Sequence, residues 1–201
     1  MLDPAARRLI DPPLNGIGAL AARLGIGANA VTLAGFAAGA GAAVALALTA
    51  YGAALALLVV NRVLDGLDGA VARHAGPSDW GGYLDIVCDF IVYSGMVFGF
   101  AVGHPEAALP AAFLVFSFIG TGTTFLAHAV FAAKRGLDTA RRGRKSLYYL
   151  GGLTEGTETA LVLGAICLWP DHFAWIAWAF GAACWITTGV RILESRGAFA
   201  S

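Results

Sequence analysis

Two pairs of aspartates at helical spacing fall within twenty-five residues of a largely apolar stretch. Asp65 and Asp68 lie in Asp65-Gly66-Leu67-Asp68-Gly69-Ala70-Val71-Ala72-Arg73, and Asp85 and Asp89 in Gly81-Gly82-Tyr83-Leu84-Asp85-Ile86-Val87-Cys88-Asp89. The first pair is spaced i, i+3 and the second i, i+4, so on helices each pair shares one face. Two like unit charges about 4 Å apart at an effective dielectric of 20 repel by roughly 4 kcal/mol. A cation must therefore sit among these carboxylates, and a hard divalent metal with a preference for oxygen ligands is the simplest one. A lone aspartate at a helix end would need no such partner, because headgroup water would solvate it. An ordered set of four, interleaved with Gly69, Ala72 and Arg73, reads as a site.

The elements that carry these residues belong in a bilayer. Of the 201 residues 58% are hydrophobic and only 13% charged, with mean hydropathy +0.73, against about 25% charged in a soluble domain. Apolar runs of near-spanning length predict helices at about 30–50, 52–73, 81–102, 107–133, 147–169 and 172–193. The expected fold is an all-α integral membrane protein: one domain over 1–201, six transmembrane helices and a short juxtamembrane segment, 1–28. In that segment Leu2, Ala5, Ala6, Leu9 and Ile10 make an apolar stripe beside Arg7 and Arg8, and Pro4, Pro12 and Pro13 interrupt it. A surface-lying helix and an irregular arm both fit it. With cytoplasmic termini, Arg7, Arg8, Arg23, Arg73, Arg191, Arg196 and the run Lys134 to Lys145 fall inside, and the opposite connections carry no Lys or Arg. That is the positive-inside pattern, and it turns the aspartates toward the cytosol. Zero net charge argues against nucleic acid as a partner. Cys88, Cys167 and Cys184 sit in apolar runs without metal-ligand spacing.

The segment resembles the signature of the CDP-alcohol phosphatidyltransferase family, which reads Asp, two residues, Asp-Gly, two residues, Ala-Arg, a connection, Gly, three residues, Asp, three residues, Asp. Here Asp65, Asp68, Gly69, Ala72, Arg73, Gly81, Asp85 and Asp89 fill it in order. The connection, His74 to Trp80, has seven residues where the family usually has eight. Ala28-Asn29-Ala30-Val31-Thr32 is similar to the family's Pro-Asn-x-x-Thr entry to the first span, with Ala28 in place of Pro. The stretch from Lys145 to Thr159 looks like that of small bacterial inner-membrane members.

The resemblance implies transfer of a phosphatidyl group from a CDP-linked lipid, CDP-diacylglycerol foremost, to an alcohol with release of CMP, at the inner membrane, by a homodimer. It implies two Mg2+ or Mn2+ ions on Asp65, Asp68, Asp85 and Asp89, with Asp89 as general base. Asn29, Thr32, Asp65, Gly69, Ala72, Arg73 and Gly81 would hold the CDP-lipid. The residues themselves agree with this chemistry. Such ions bridge carboxylates to phosphate oxygens, Arg73 adds a donor fork for phosphate, and a carboxylate beside a hydroxyl can take its proton.

The acceptor side is open. Arg144 and Lys145, with Arg191, are candidates for binding a phosphate on the acceptor, as a glycerol-phosphate-specific enzyme requires. The rest of the basic run serves equally as a topology signal. Glu155 and Glu158, spaced i, i+3 among threonines, would pair with Arg191 or Arg62, or recognise the hydroxyls or amine of an amino-alcohol such as serine. His104 and His128 read as loop and packing residues, and Thr121-Gly122-Thr123-Thr124 as helix packing. Gly35-x-x-x-Gly39 and Gly152-x-x-x-Gly156 permit close helix contact. A divalent-cation transporter is the competing class. It would need acidic residues continuing toward the outer face, where this chain has almost none.

Overall fold

The structure is a computed structural model and describes residues 3–136 and 153–199. Among these, all regular structure is helical: α1 Asp3–Arg23, α2 Ala28–Ala47, α3 Tyr51–Ala75, α4 Asp79–Gly103, α5 Ala108–Lys134, α6 Gly156–Leu168 and α7 Phe173–Phe199. Short 3-10 turns at Pro105–Ala107 and Pro170–His172 lead into α5 and α7. Four segments are long and apolar enough to cross a membrane: α2, α4, and α5 and α7 with their preceding turns. Their outward faces carry Leu33, Val44, Phe98, Phe116, Ile119, Trp175 and Ile186 exposed, apolar surface that lipid rather than water would solvate. The other two expected spans differ. Helix α3 has 25 residues, but Arg62, Asp65, Asp68 and Arg73 sit in it, and α6 contributes 13 described residues.

The juxtamembrane segment is a helix of 21 residues, with Pro12 and Pro13 inside it rather than ending it. From Leu14 onward its fit against α3 is close. Leu14 and Ala21 are buried, and a Cβ on Gly18 would fall 2.7 Å from that of Ala70. Ile17, Leu20 and Leu24 stay exposed on the other side. The chain then reverses at Gly25, whose φ of 77° is left-handed. Ile26 N–H donates to Ala21 O at 3.0 Å and Gly25 N–H to Ala22 O at 3.1 Å, the Schellman arrangement that glycine permits without a Cβ penalty.

The α3–α4 connection is shorter than the seven-residue loop expected. Helix α3 runs on through Ala75, and Gly76, at φ 98°, donates its N–H to Ala72 O at 2.9 Å. Ser78 then caps α4 by accepting from Gly81 N–H at 3.1 Å. Only Gly76, Pro77 and Ser78 separate the helices, which holds the two aspartate-bearing segments next to each other.

Helix α2 packs on both α3 and α4 through positions with almost no side chain. A Cβ on Gly35 would meet Leu64 at 3.2 Å, one on Gly39 would meet Val92 at 2.5 Å, and one on Gly99 would strike the Ala43 carbonyl. Gly35-x-x-x-Gly39 is thus used within the chain. Below these contacts lies a core of Leu46, Leu58, Met96, Val97, Leu114 and Ile166, all nearly inaccessible. Gly99→Val puts methyl groups into the α2 backbone, so it should destabilise by at least the 1–3 kcal/mol typical of overpacking. A lowered melting temperature of the purified protein in detergent would register it, and an unchanged one would refute this account of the α2–α4 contact.

Candidate active site

The bundle brings the four aspartates to one pocket. Asp65 and Asp68 come from the C-terminal half of α3, Asp85 and Asp89 from the N-terminal half of α4, and α2 closes the third side with Thr32, Gly35 and Phe36. Asn61 and Cys88 complete the lining of a cleft enclosing about 210 Å3, its open mouth included. One oxygen each from Asp65, Asp68 and Asp85 lies within 4.8 Å of the others. Three carboxylate oxygens facing one space are the donor set a hard divalent ion takes, so the residues fit the expected metal.

Asp68 is buried and is oriented by α2: Thr32 Oγ1 donates to its Oδ2 at 2.6 Å. The same hydroxyl lies 3.1 Å from Ala28 O, so its single proton is shared between the carboxylate and its own helix. Asp89 lines the same cleft but stands outside the triad. Arg62 Nη2 donates to Asp89 Oδ1 at 2.6 Å, and Tyr93 OH donates to Asp89 Oδ2 at 3.0 Å. The Arg62 guanidinium also reaches Tyr93 OH at 2.7 Å and Asn61 Oδ1 at 2.8 Å, and lies 3.6 Å from Asp65 Oδ2. Asn61, itself buried, donates to Gly35 O at 2.9 Å.

The other residues singled out in the sequence fall in three places. Asn29 and Gly81 meet where α2 and α4 begin, with a Cβ on Gly81 3.1 Å from Asn29 Oδ1. Gly69 keeps the neighbouring turn open beneath the Arg73 side chain, 3.6 Å from where its Cβ would be. Arg73 Nη2 and Nε donate to Asn15 Oδ1 of α1 at 2.8 and 3.1 Å. Ala72 is half-buried on the same turn and supplies the carbonyl that ends α3. Away from the cleft, Arg191 is buried between α5 and α7, donating to Thr121 O at 2.9 Å with its guanidinium 5.8 Å from the Phe125 ring.

Glu155 and Glu158 do not share a helical face. Glu155 is the extended N-cap of α6, and the two form a reciprocal capping box, with Glu155 N–H donating to Glu158 Oε2 at 3.2 Å. Arg62, offered as a partner for them, instead serves Asp89. Arg144 and Lys145 lie outside the described residues. The hydroxyls of Thr121, Thr123 and Thr124 bond carbonyls of their own helix, and His128 lies 2.7 Å from Ser195 Oγ.

Sequence reasoning missed Asn61 and Tyr93 and misassigned Arg62. The signals were present: Arg62 is the one basic residue between Arg23 and Arg73 and stands three before Asp65, and Tyr93 stands four after Asp89.

The class is a helical bundle with membrane-spanning apolar helices and a carboxylate cluster suited to a divalent ion. The chain belongs to the CDP-alcohol phosphatidyltransferase family, whose model matches residues 26–190. It is 49% identical over 193 residues to the inner membrane protein YnjF of Escherichia coli, covering 96% of this chain and 94% of that one. It is 38% identical over 98 residues to an archaetidylinositol phosphate synthase of Pyrococcus horikoshii, spanning only 52% of that protein's length. Phosphatidylinositol phosphate synthase (PgsA1) of Mycobacterium tuberculosis has a similar fold. Its structure with CDP-DAG bound gives a TM-score of 0.69 at 22% identity, over 91% of this chain and 93% of that one, and a second contains manganese and citrate, at 0.68, 22%, 90% and 88%. The protein is thus a membrane enzyme of phospholipid biosynthesis, a phosphatidyltransferase by family.

Thr32 would orient the metal triad from behind. Losing such an outer partner typically costs 10–100-fold in metal affinity or activity. Thr32→Val should therefore weaken Mn2+ binding by about tenfold, and Thr32→Ser should restore it. Electron paramagnetic resonance of free Mn2+ during titration measures both, and equal affinities in all three proteins would remove Thr32 from the site.

Proposed function

We propose that this chain transfers a phosphatidyl group from CDP-diacylglycerol, or a similar CDP-linked lipid, to an alcohol and releases CMP on the cytosolic face of the membrane. The observation that carries this reading is the convergence of Asp65, Asp68, Asp85 and Asp89 on one cleft between α2, α3 and α4. The CDP-DAG bound to PgsA1, a protein of the same fold, supports the donor, and the manganese in its second structure supports a divalent ion.

In this reading Asp65, Asp68 and Asp85 hold Mg2+ or Mn2+, two ions being expected with Asp89 as a further ligand. When bound, the metal neutralises pyrophosphate charge and polarises the attacked phosphorus. Asp89 accepts the proton of the acceptor hydroxyl as its oxygen attacks the phosphorus that carries the diacylglycerol. The bond from that phosphorus to the bridging oxygen breaks, and CMP leaves with the electron pair. Asn29 and Gly81 at the starts of α2 and α4, with Gly69, Ala72 and Arg73 toward the end of α3, form the side on which the nucleotide enters in this reading.

Six spans with cytoplasmic termini remain the topology that best supports this placement. Arg23 and Arg73 flank the carboxylate end of the bundle, whereas the opposite end carries Tyr51, His104 and Glu106, joined at 2.5 and 3.0 Å, and no Lys or Arg near them. For the acceptor, both named synthases make inositol phosphate lipids. The capping box also occupies Glu155 and Glu158 with backbone N–H groups, which weakens their case as an amine site. A phosphorylated polyol is therefore the first class to test, ahead of serine. A homodimer follows from the resemblance and is read by light scattering of the purified protein.

Purified protein in proteoliposomes with CDP-diacylglycerol and Mg2+ should release CMP when given glycerol 3-phosphate, inositol phosphate or serine in turn, with the new lipid read by mass. Chelation should stop the reaction, and Asp89→Asn should slow it by about 10²–10⁴-fold. Absence of metal-dependent CMP release with every acceptor, together with Mn2+ uptake into the vesicles, would favour the transporter instead.

A further inference from the structure

We propose that Arg62 is a positioning residue for Asp89: with Tyr93 it fixes the orientation of the carboxylate that takes the acceptor's proton. The inference rests on the reading of Asp89 as the base. A cation largely enclosed among apolar helices needs partners, and here they are specific. The planar guanidinium places Nη2 on Asp89 Oδ1 at 2.6 Å and Nη1 on Tyr93 OH at 2.7 Å, while Tyr93 OH donates to Asp89 Oδ2 at 3.0 Å. These three contacts close a ring in which both carboxylate oxygens are held and the plane of the group is set.

The clamp is anchored on three helices. Arg62 Nε donates to Asn61 Oδ1 at 2.8 Å, and Asn61 Nδ2 donates to Gly35 O at 2.9 Å, so α2 fixes Asn61, Asn61 aims Arg62 and Arg62 aims Asp89 of α4. A lysine cannot reproduce this, because a single ammonium does not span Asn61, Tyr93 and Asp89 in one plane.

The same geometry gives the role a signature. The guanidinium lies 3.6 Å from Asp65 Oδ2, so its charge opposes an ion held by Asp65, Asp68 and Asp85. Removing it should leave metal binding intact or tighten it while turnover falls. A residue that merely supported the fold would lower both together.

The test uses full-length protein in nanodiscs, with Mn2+ affinity read by electron paramagnetic resonance and turnover as CMP release from CDP-diacylglycerol with the mixed acceptors above. Arg62→Met should lose about 10²-fold in turnover with Mn2+ affinity unchanged or up to about tenfold tighter. Arg62→Lys should recover only part of the turnover. Tyr93→Phe, which keeps the ring packing, should lower turnover several-fold without moving Mn2+ affinity, and it decides the matter if Arg62→Met does not fold. In an Asp89→Asn background, Arg62→Met should change residual turnover by less than about twofold, because the two act as a unit. Mn2+ affinity and turnover falling together, full turnover in Arg62→Met, or additive losses in the double variant would overturn the proposal. If the wild type releases no CMP, the transferase reading fails. The inference, which rests on that reading, then falls with it, whereas CMP release by the wild type with any of the variant results above overturns the inference alone.

Discussion

The carboxylates meet because three helices cross where they have almost no side chains. Gly35 and Gly39 of α2 let the Leu64 and Val92 side chains press against its backbone, and Gly99 of α4 lies directly on the Ala43 backbone. In lipid there is little hydrophobic drive to push helices together, so close packing and interhelical hydrogen bonds must hold them. The Gly35 carbonyl serves both purposes, since it lies at the crossing and accepts from Asn61. Widening that crossing would move Thr32 from Asp68 and Asn61 from Gly35 together, so the metal triad and the Asp89 clamp share one mechanical origin.

Charge is distributed to match. Arg62 sits on the side of the cluster where Asp89 departs from the triad, at 2.6 Å from Asp89 and 3.6 Å from Asp65, so its charge is shared unequally among the four anions. That asymmetry divides four similar side chains into two chemical kinds. One residue type thus meets two different surroundings within one small cleft, separated by which neighbour faces it rather than by distance along the chain.

The spacing of the aspartates with Gly69, Ala72, Arg73 and Gly81 made the cleft legible, because helical periodicity fixes which side chains share a face. The apolar runs located α2, α4, α5 and α7 for the same reason. The loop before Gly81 was less legible. His74, Ala75, Asp79 and Trp80 are helical, and the stop and start depend on the left-handed φ of Gly76 and the Ser78 cap, local events within a polar stretch. Glu155 and Glu158 misled because i, i+3 describes both a helical face and a capping box, and only the position of the helix start separates the two. The Arg62–Asp89–Tyr93 ring depends on the relative rotation of α3 and α4, a tertiary quantity that no single-helix pattern encodes. The N-terminal prolines argued for a broken arm on propensity, but packing along α3 outweighs that local cost.

Helix α1 is made first yet finds its partner late. Its buried face contacts α3, through Gly18 on Ala70 and Leu14 beside Gly66, and α2 lies between them in the sequence. When α1 leaves the ribosome, the surface it will cover does not exist. Until then its apolar face, with Leu14 and Ala21, has no α3 surface to cover, while Ile17, Leu20 and Leu24 stay exposed even in the finished bundle. The reversal at Gly25 then lets it fold back over the completed α3, where Arg73 meets Asn15. The cover over the C-terminal half of the helix that carries Asp65 and Asp68 is thus supplied by a segment made before that helix, and the two can join only once α3 exists.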